Sequence, residues 1–131
     1  DYYTFEGGIS WRGEDIDISL EVDSSSEDTW TAAVAAMKQM MTDQDRWDRD
    51  MRAFAARELT ELACDWRESA DEDVPEITEE SFAQRIELTS IAMDPEGSFS
   101  TYFDDDEMFF GHCVVVYGTL EDGVSSAVMA G

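Results

Sequence analysis

One histidine, two cysteines and a run of four acids are the side chains of this sequence best suited to chemistry. Asp104-Asp105-Asp106-Glu107, followed by His112, is its only dense acid cluster near a histidine. A small enzyme could use His112 as a base with Asp104 and Asp106 as its carboxylate partners, provided a pocket desolvates an acid beside the imidazole. The same acids offer oxygens to a hard cation. They lack the alternating acids, the Gly at the sixth position and the Glu at the twelfth that frame an EF-hand loop. The run is therefore expected to be a solvated loop with no metal.

The other chemical readings are weaker. Zinc asks for three or four His or Cys ligands, and His112 with Cys64 and Cys113 falls short. A histidine entering an apolar strand is more often structural, making one or two hydrogen bonds. The cysteines sit among apolar neighbours and read as buried free thiols, and so acidic a chain disfavours a nucleophilic thiolate. Asp43, Asp45, Asp48 and Asp50 spread around a helix among arginines, which favours surface pairing over a phosphate-cleaving centre. No Gly-rich phosphate loop, nucleophile elbow, HExxH or Walker motif occurs, so no cofactor is expected.

Charge says more. The chain carries 32 Asp and Glu against eight Lys and Arg, a net charge of −24 over 131 residues. A small domain is soluble with a surplus of roughly 2–8 charges. A field this negative repels phosphate backbones and anionic lipid and attracts basic partners, which argues against nucleic acid and membrane. Residues 69–107 hold 13 acids and only Arg85 in opposition. Within them Asp71, Glu72 and Asp73 are the candidate binding residues. The acids alternate with large apolar side chains, which describes a folded acidic surface rather than a disordered tail. One Lys and no Asn also fit a GC-rich genome or a high-salt habitat, either of which would make the acidity partly a matter of origin.

Length allows a single domain, 1–131. The chain opens at Asp1 without an initiator Met, as an excised domain would. No apolar run approaches the roughly 18 residues of a membrane helix, no signal-peptide pattern is present, and a cytoplasmic protein is expected.

The elements that must position these residues follow from periodicity. Tyr3, Phe5, Gly7, Ile9 and Trp11 alternate with polar residues, as do Ile16, Ile18, Leu20 and Val22 beyond a turn at Arg12-Gly13-Glu14. That is an antiparallel hairpin with one wet, acidic face, with a bulge expected at Gly7-Gly8. Ser24 to Asp28 supply capping residues, and then the period lengthens. It predicts helices over about 29–42 and 45–67, the second laced by Asp45–Arg49, Arg46–Asp50, Asp48–Arg52 and Arg57–Glu61. Trp11, Trp30, Trp47 and Trp66 fall on core stripes. A polar connector spans 68–77, and Thr78 caps a short helix over 79–84. Strands follow at about 85–93, 98–103, 112–118 and 123–129. The run from Cys113 to Tyr117 is apolar on both faces, as a central, covered strand would be. The predicted class is α+β, an antiparallel sheet of the N-terminal hairpin plus the C-terminal strands packed against two or three helices.

Four blocks carry a family resemblance. They are Gly8-Ile9-Ser10-Trp11-Arg12-Gly13 leading into Ile16-Asp17-Ile18-Ser19-Leu20; Phe54-Ala55-Ala56 with Leu59, Leu62 and Asp65-Trp66; Ile77-Thr78, Phe82, Arg85-Ile86-Glu87-Leu88 and Ser90-Ile91; and Tyr102-Phe103-Asp104-Asp105 with Phe109-Phe110-Gly111-His112. In type and order they resemble the bacterial family catalogued as domain of unknown function 2262, over nearly the whole chain. The resemblance implies a soluble bacterial α+β domain. It transfers no activity or catalytic residue, and it marks Tyr102 to His112 as the most distinctive stretch.

The expectation for function is a non-enzymatic binding or regulatory module whose acidic face meets a basic protein, as toxin-neutralising immunity proteins and nucleic-acid mimics do. The alternative is the His112 enzyme.

Overall fold

Alternating apolar residues build a ten-residue hairpin at the start of the chain, β1 (Tyr2–Trp11) and β2 (Glu14–Asp23), paired without interruption from Tyr2 opposite Asp23 to Trp11 opposite Glu14. The computed structural model describes residues 2–23, 27–68, 77–109 and 111–130. The turn is two residues, Arg12 and Gly13, with φ of 50° and 88°. Both are positive, as a type I′ turn requires. No bulge occurs at Gly7-Gly8. The register runs straight through them, opposite Ile18 and Asp17.

Two helices follow, α1 (Glu27–Thr42) and α2 (Gln44–Glu68), separated only by Asp43. Their inward stripes are Ala33, Ala36, Met37 and Met40 on the first, and Trp47, Met51, Ala55, Ala56, Leu59 and Ala63 on the second, all buried. The capping residues Ser24 to Ser26 and most of the 68–77 connector lie outside the described residues. A short helix, α3 (Glu79–Arg85), begins where expected. The Thr78 side chain accepts from the Ser81 N–H, and the Ser81 hydroxyl accepts in return from the Thr78 N–H.

The chain then forms a meander of β3 (Glu87–Met93), β4 (Ser98–Asp104), β5 (Cys113–Thr119) and β6 (Gly123–Ala130). All six strands make one sheet in chain order. Every neighbouring pair is antiparallel except β2 and β3, which the intervening helices make parallel. The α+β class holds, with that one parallel pair as an addition to the expected antiparallel sheet. A bulge falls between Leu88 and Ser90, and another sets Gly118 opposite Val124 and Tyr117 opposite Ser126. A Cβ on Gly118 would lie 2.5 Å from the Gly123 carbonyl oxygen, so a side chain does not fit there.

The helices cover one face of the sheet. Ile16, Ile18, Leu20, Val22, Ile91, Met93, Phe99, Phe103, Val114 and Val116 point into that core. Trp47 meets Phe99 edge to face at 5.3 Å between centroids. Trp11 and Trp47 are buried and Trp66 is half-buried. Trp30 departs from the expected core position: it is 39% exposed, edge-on to Phe5. The strand Cys113–Thr119 is interior to the sheet as expected, with Val115 buried on the side away from the helices and its neighbour Tyr117 exposed there.

Candidate functional site

The acidic run after β4 is organised around Asp105. Asp104, Asp106 and Glu107 are exposed, whereas Asp105 is fully buried. Its carboxylate accepts the N–H groups of Glu107, Phe109 and Gly111 at 3.0, 2.8 and 3.1 Å. Those three donors satisfy the buried carboxylate oxygens in place of water. The role of Asp105 is to fold the loop, which corrects the expectation of a wholly solvated acidic run. The tight path puts Asp106 and Glu107 at φ of 48° and 62°, a left-handed backbone that costs a non-glycine residue about 1 kcal/mol or more.

That loop sends the catalytic candidates in different directions. Asp106 pairs with Arg85, whose Nε lies 2.8 Å from its carboxylate and whose second nitrogen donates to its carbonyl at 3.0 Å. Asp104 ends β4, opposite Cys113 in the ladder. His112 is half-buried with Nδ1 2.5 Å from the Phe109 carbonyl oxygen. A carbonyl only accepts, so Nδ1 carries the proton. The imidazole edge also meets Trp66 of α2 at 5.3 Å. Among the described residues no hydrogen bond or ion pair joins His112 to a carboxylate. The histidine braces the loop against α2.

A second cluster joins the hairpin turn to α2. Asp48 is 2% exposed, and its carboxylate accepts from Trp11 Nε1 at 3.2 Å, from Arg12 at 2.9 Å and from Arg52 Nε at 2.8 Å. Arg12 also reaches Asp45 at 3.0 Å, and its backbone N–H donates to the Gln44 side chain. The charge of Asp48 and the hydrogen bond to Asp45 raise the Arg12 guanidinium above its already high ordinary pKa. Arg52 donates further to the Ala83 and Ile86 carbonyls and so caps the end of α3. A cleft of about 610 Å³ opens beside this network, lined in part by Arg12, Arg52 and Gln84. Its cations are already engaged by Asp45 and Asp48, leaving it poorly suited to an anion.

These contacts rewrite the expected helix pairs. Arg46–Asp50 and Asp48–Arg52 form, at 3.8 and 2.8 Å. Asp45 turns to Arg12, Arg49 to Asp50, and Arg57 to its neighbour Glu58. Asp48 is no surface residue at all. The signal that could have found it is Trp11-Arg12-Gly13, which puts two donors on a turn that must pack somewhere. Cys64 and Cys113 are free but half-buried rather than buried, and the Cys64 thiol donates to the Ile77 carbonyl. Among the described residues no group of three or more His, Cys, Asp or Glu is gathered to hold a metal. Asp71, Glu72 and Asp73 lie outside the described residues.

Charge is segregated by element. The strands β1 to β6 contain eight acids, Glu6, Glu14, Asp15, Asp17, Glu21, Asp23, Glu87 and Asp104, and no Lys or Arg. Arg12 sits on the hairpin turn, and the other seven bases lie on the helices. Glu6, Asp15, Asp17 and Glu21 are exposed and take no part in any ion pair among the described residues. They stand on the sheet face that carries no helix. In register with them, toward the other edge, come exposed Tyr102, Tyr117 and Val128. No helix among the described residues is long and apolar enough to cross a membrane.

No curated protein and no solved structure matches this chain. Residues 1–129 match DUF2262, an uncharacterised protein family conserved in bacteria, and the chain belongs to that family.

Proposed function

We propose that this protein is a non-enzymatic binding module that engages a basic protein through the helix-free face of its sheet. The observation that carries the reading is the absence of any Lys or Arg from six strands that bear eight acids. On that face Glu6, Asp15, Asp17 and Glu21 take no part in an ion pair among the described residues. Beside them, Tyr102, Tyr117 and Val128 expose apolar surface over strands rich in Ser, Ala and Gly. Rigid aromatics flanked by unpaired charge are the composition of a protein-binding patch, with the aromatics as anchors and the acids steering the encounter. The same charge keeps nucleic acid and anionic lipid away.

Affinity capture from the native host at low and high salt tests this. The expected result is one basic protein retained at low salt and released as salt rises. Its retention should be lost when Asp17 and Glu21 are both changed to Lys, and weakened when the exposed anchor is removed by Tyr117→Ala. Retention unaffected by charge reversal on this face and at Asp71, Glu72 and Asp73 would overturn the reading. The alternative, a small enzyme built on His112, has less support, because Asp106 is paired with Arg85 and the imidazole is held by a backbone carbonyl.

A further inference from the structure

The two edges of the sheet are not alike. Strand β6 carries the bulge beside Gly118, and α2 packs against it. Strand β1 is ten residues long, unbulged and free of Pro, Lys and Arg, and among the described residues it pairs only with β2. Proteins ordinarily protect such an edge with charge, proline, a bulge or a covering element. Here Glu6 is its one charged residue.

The hairpin register tells which groups that edge presents. Across a two-residue turn the flanking residues, Trp11 and Glu14, exchange both hydrogen bonds. From Trp11 back, Ile9, Gly7, Phe5 and Tyr3 therefore direct their backbone groups to β2, and Ser10, Gly8, Glu6 and Thr4 direct theirs outward. The two faces beside this edge differ in chemistry. On the helix side Phe5 is 42% exposed and stacks edge-on with Trp30 at 4.8 Å, leaving an uncovered aromatic pair. On the open side a groove of about 340 Å³ runs along Gly8, Ser10, Asp15 and Asp17. Gly8 lies opposite Asp17 in the ladder and has no side chain to shield it.

Resting on the reading above, we propose that β1 binds its basic partner by strand addition, taking an extended segment that alternates basic with apolar residues. The apolar residues of such a segment lie against Phe5 and Trp30. The basic ones lie on the open face, beside Glu6 and across Gly8 toward Asp15 and Asp17. Main-chain hydrogen bonds to Thr4, Glu6, Gly8 and Ser10 supply affinity, and the alternation supplies selectivity. A second copy of this chain is the wrong occupant, because it brings another net charge of −24 to an edge that wants cations.

The test uses a short peptide alternating arginine with valine, at low salt, read by amide hydrogen exchange and by titration. The expected result is saturable binding that slows exchange at Thr4, Glu6, Gly8 and Ser10. The Glu6→Gln variant loses charge but keeps its N–H, and Glu6→Pro loses both. Proline on an edge with its nitrogen turned outward keeps the fold, and the proline variant should bind several-fold more weakly than the glutamine one. The same peptide N-methylated at alternate residues should bind the unaltered protein about tenfold more weakly. Binding with protection elsewhere overturns strand addition and leaves the acidic module standing. Equal affinity for the methylated peptide does the same. Protection of the same amides that grows with protein concentration in the absence of peptide also overturns it, in favour of a second copy. Absence of any salt-dependent binding overturns both readings.

Discussion

The indole of Trp11 donates to Asp48 across 3.2 Å, and through that contact the tip of the hairpin is fastened to α2 from 37 residues away. Asp48 is buried with three donors converging on it, two of them arginines. Removing one partner of such a buried charge group costs far more than its net worth, because the others are left without a mate. Asp48→Ala should lower stability by roughly 2–4 kcal/mol. Asp48→Asn, which keeps a hydrogen-bonding oxygen and loses the charge, should cost less. Urea melts of both variants check the order. If the two melt together with the unaltered protein, the network contributes nothing.

Asp105 makes a parallel prediction for the loop. Asp105→Ala leaves the amides of Glu107, Phe109 and Gly111 without their acceptor and frees a backbone held at positive φ. A loss of about 2–3 kcal/mol is expected. The release should also loosen His112 from Phe109, so the Trp66 fluorescence beside that ring should change. A fully native emission spectrum with an unshifted midpoint would contradict this account of the loop.

Most of the fold was legible because it rests on local signals. The hairpin, the three helices and the last four strands lie within a few residues of where periodicity and the Thr78 cap put them. What was not legible depends on contacts between distant segments. Asp48 reads as one surface acid among several until Trp11 and Arg12 arrive from the hairpin. Asp105 sits in a run of four acids, and only the turn of the backbone decides which one goes inside. Gly7-Gly8 suggests a bulge locally, yet the longer ladder on either side keeps register. Trp30 lies on an apolar stripe, but it meets the sheet at its edge strand, against Phe5, where it stays exposed. Closeness in sequence suggested that Asp104, Asp106 and His112 act together; which partners they take, Arg85 for Asp106 and the Phe109 carbonyl for His112, is decided by the folded loop. The charge-free side chains of β5 and β6 and the acids of β2 were plain in the sequence, but their shared face required the sheet.

Salt should stabilise this protein. Unpaired acids on one face repel one another, and the Debye length falls from about 10 Å at 0.1 M to about 3 Å at 1 M salt. A higher melting temperature in 1 M sodium chloride than in dilute buffer is expected. Sodium sulfate strengthens apolar burial as well, so sodium chloride is the cleaner probe. A flat or falling trend would mean that the acids of the strands are neutralised locally.

The acidic surface and the histidine make opposed demands on one experiment. On the binding reading, reversing Asp17 and Glu21 slows association with the basic partner more than it speeds dissociation, since exposed charges act chiefly through steering. Reversing Asp71, Glu72 and Asp73 should add to that effect, because those acids belong to the most negative segment of the chain. His112→Ala should leave association untouched and cost modest stability, because it removes a brace between the loop and Trp66. Stopped-flow association rates over a range of salt separate the cases. If His112→Ala abolishes the biological effect while both sets of charge reversals leave it intact, the carboxylates are not steering a partner. The imidazole, with its Nδ1 proton on the Phe109 carbonyl, is then acting through its other nitrogen.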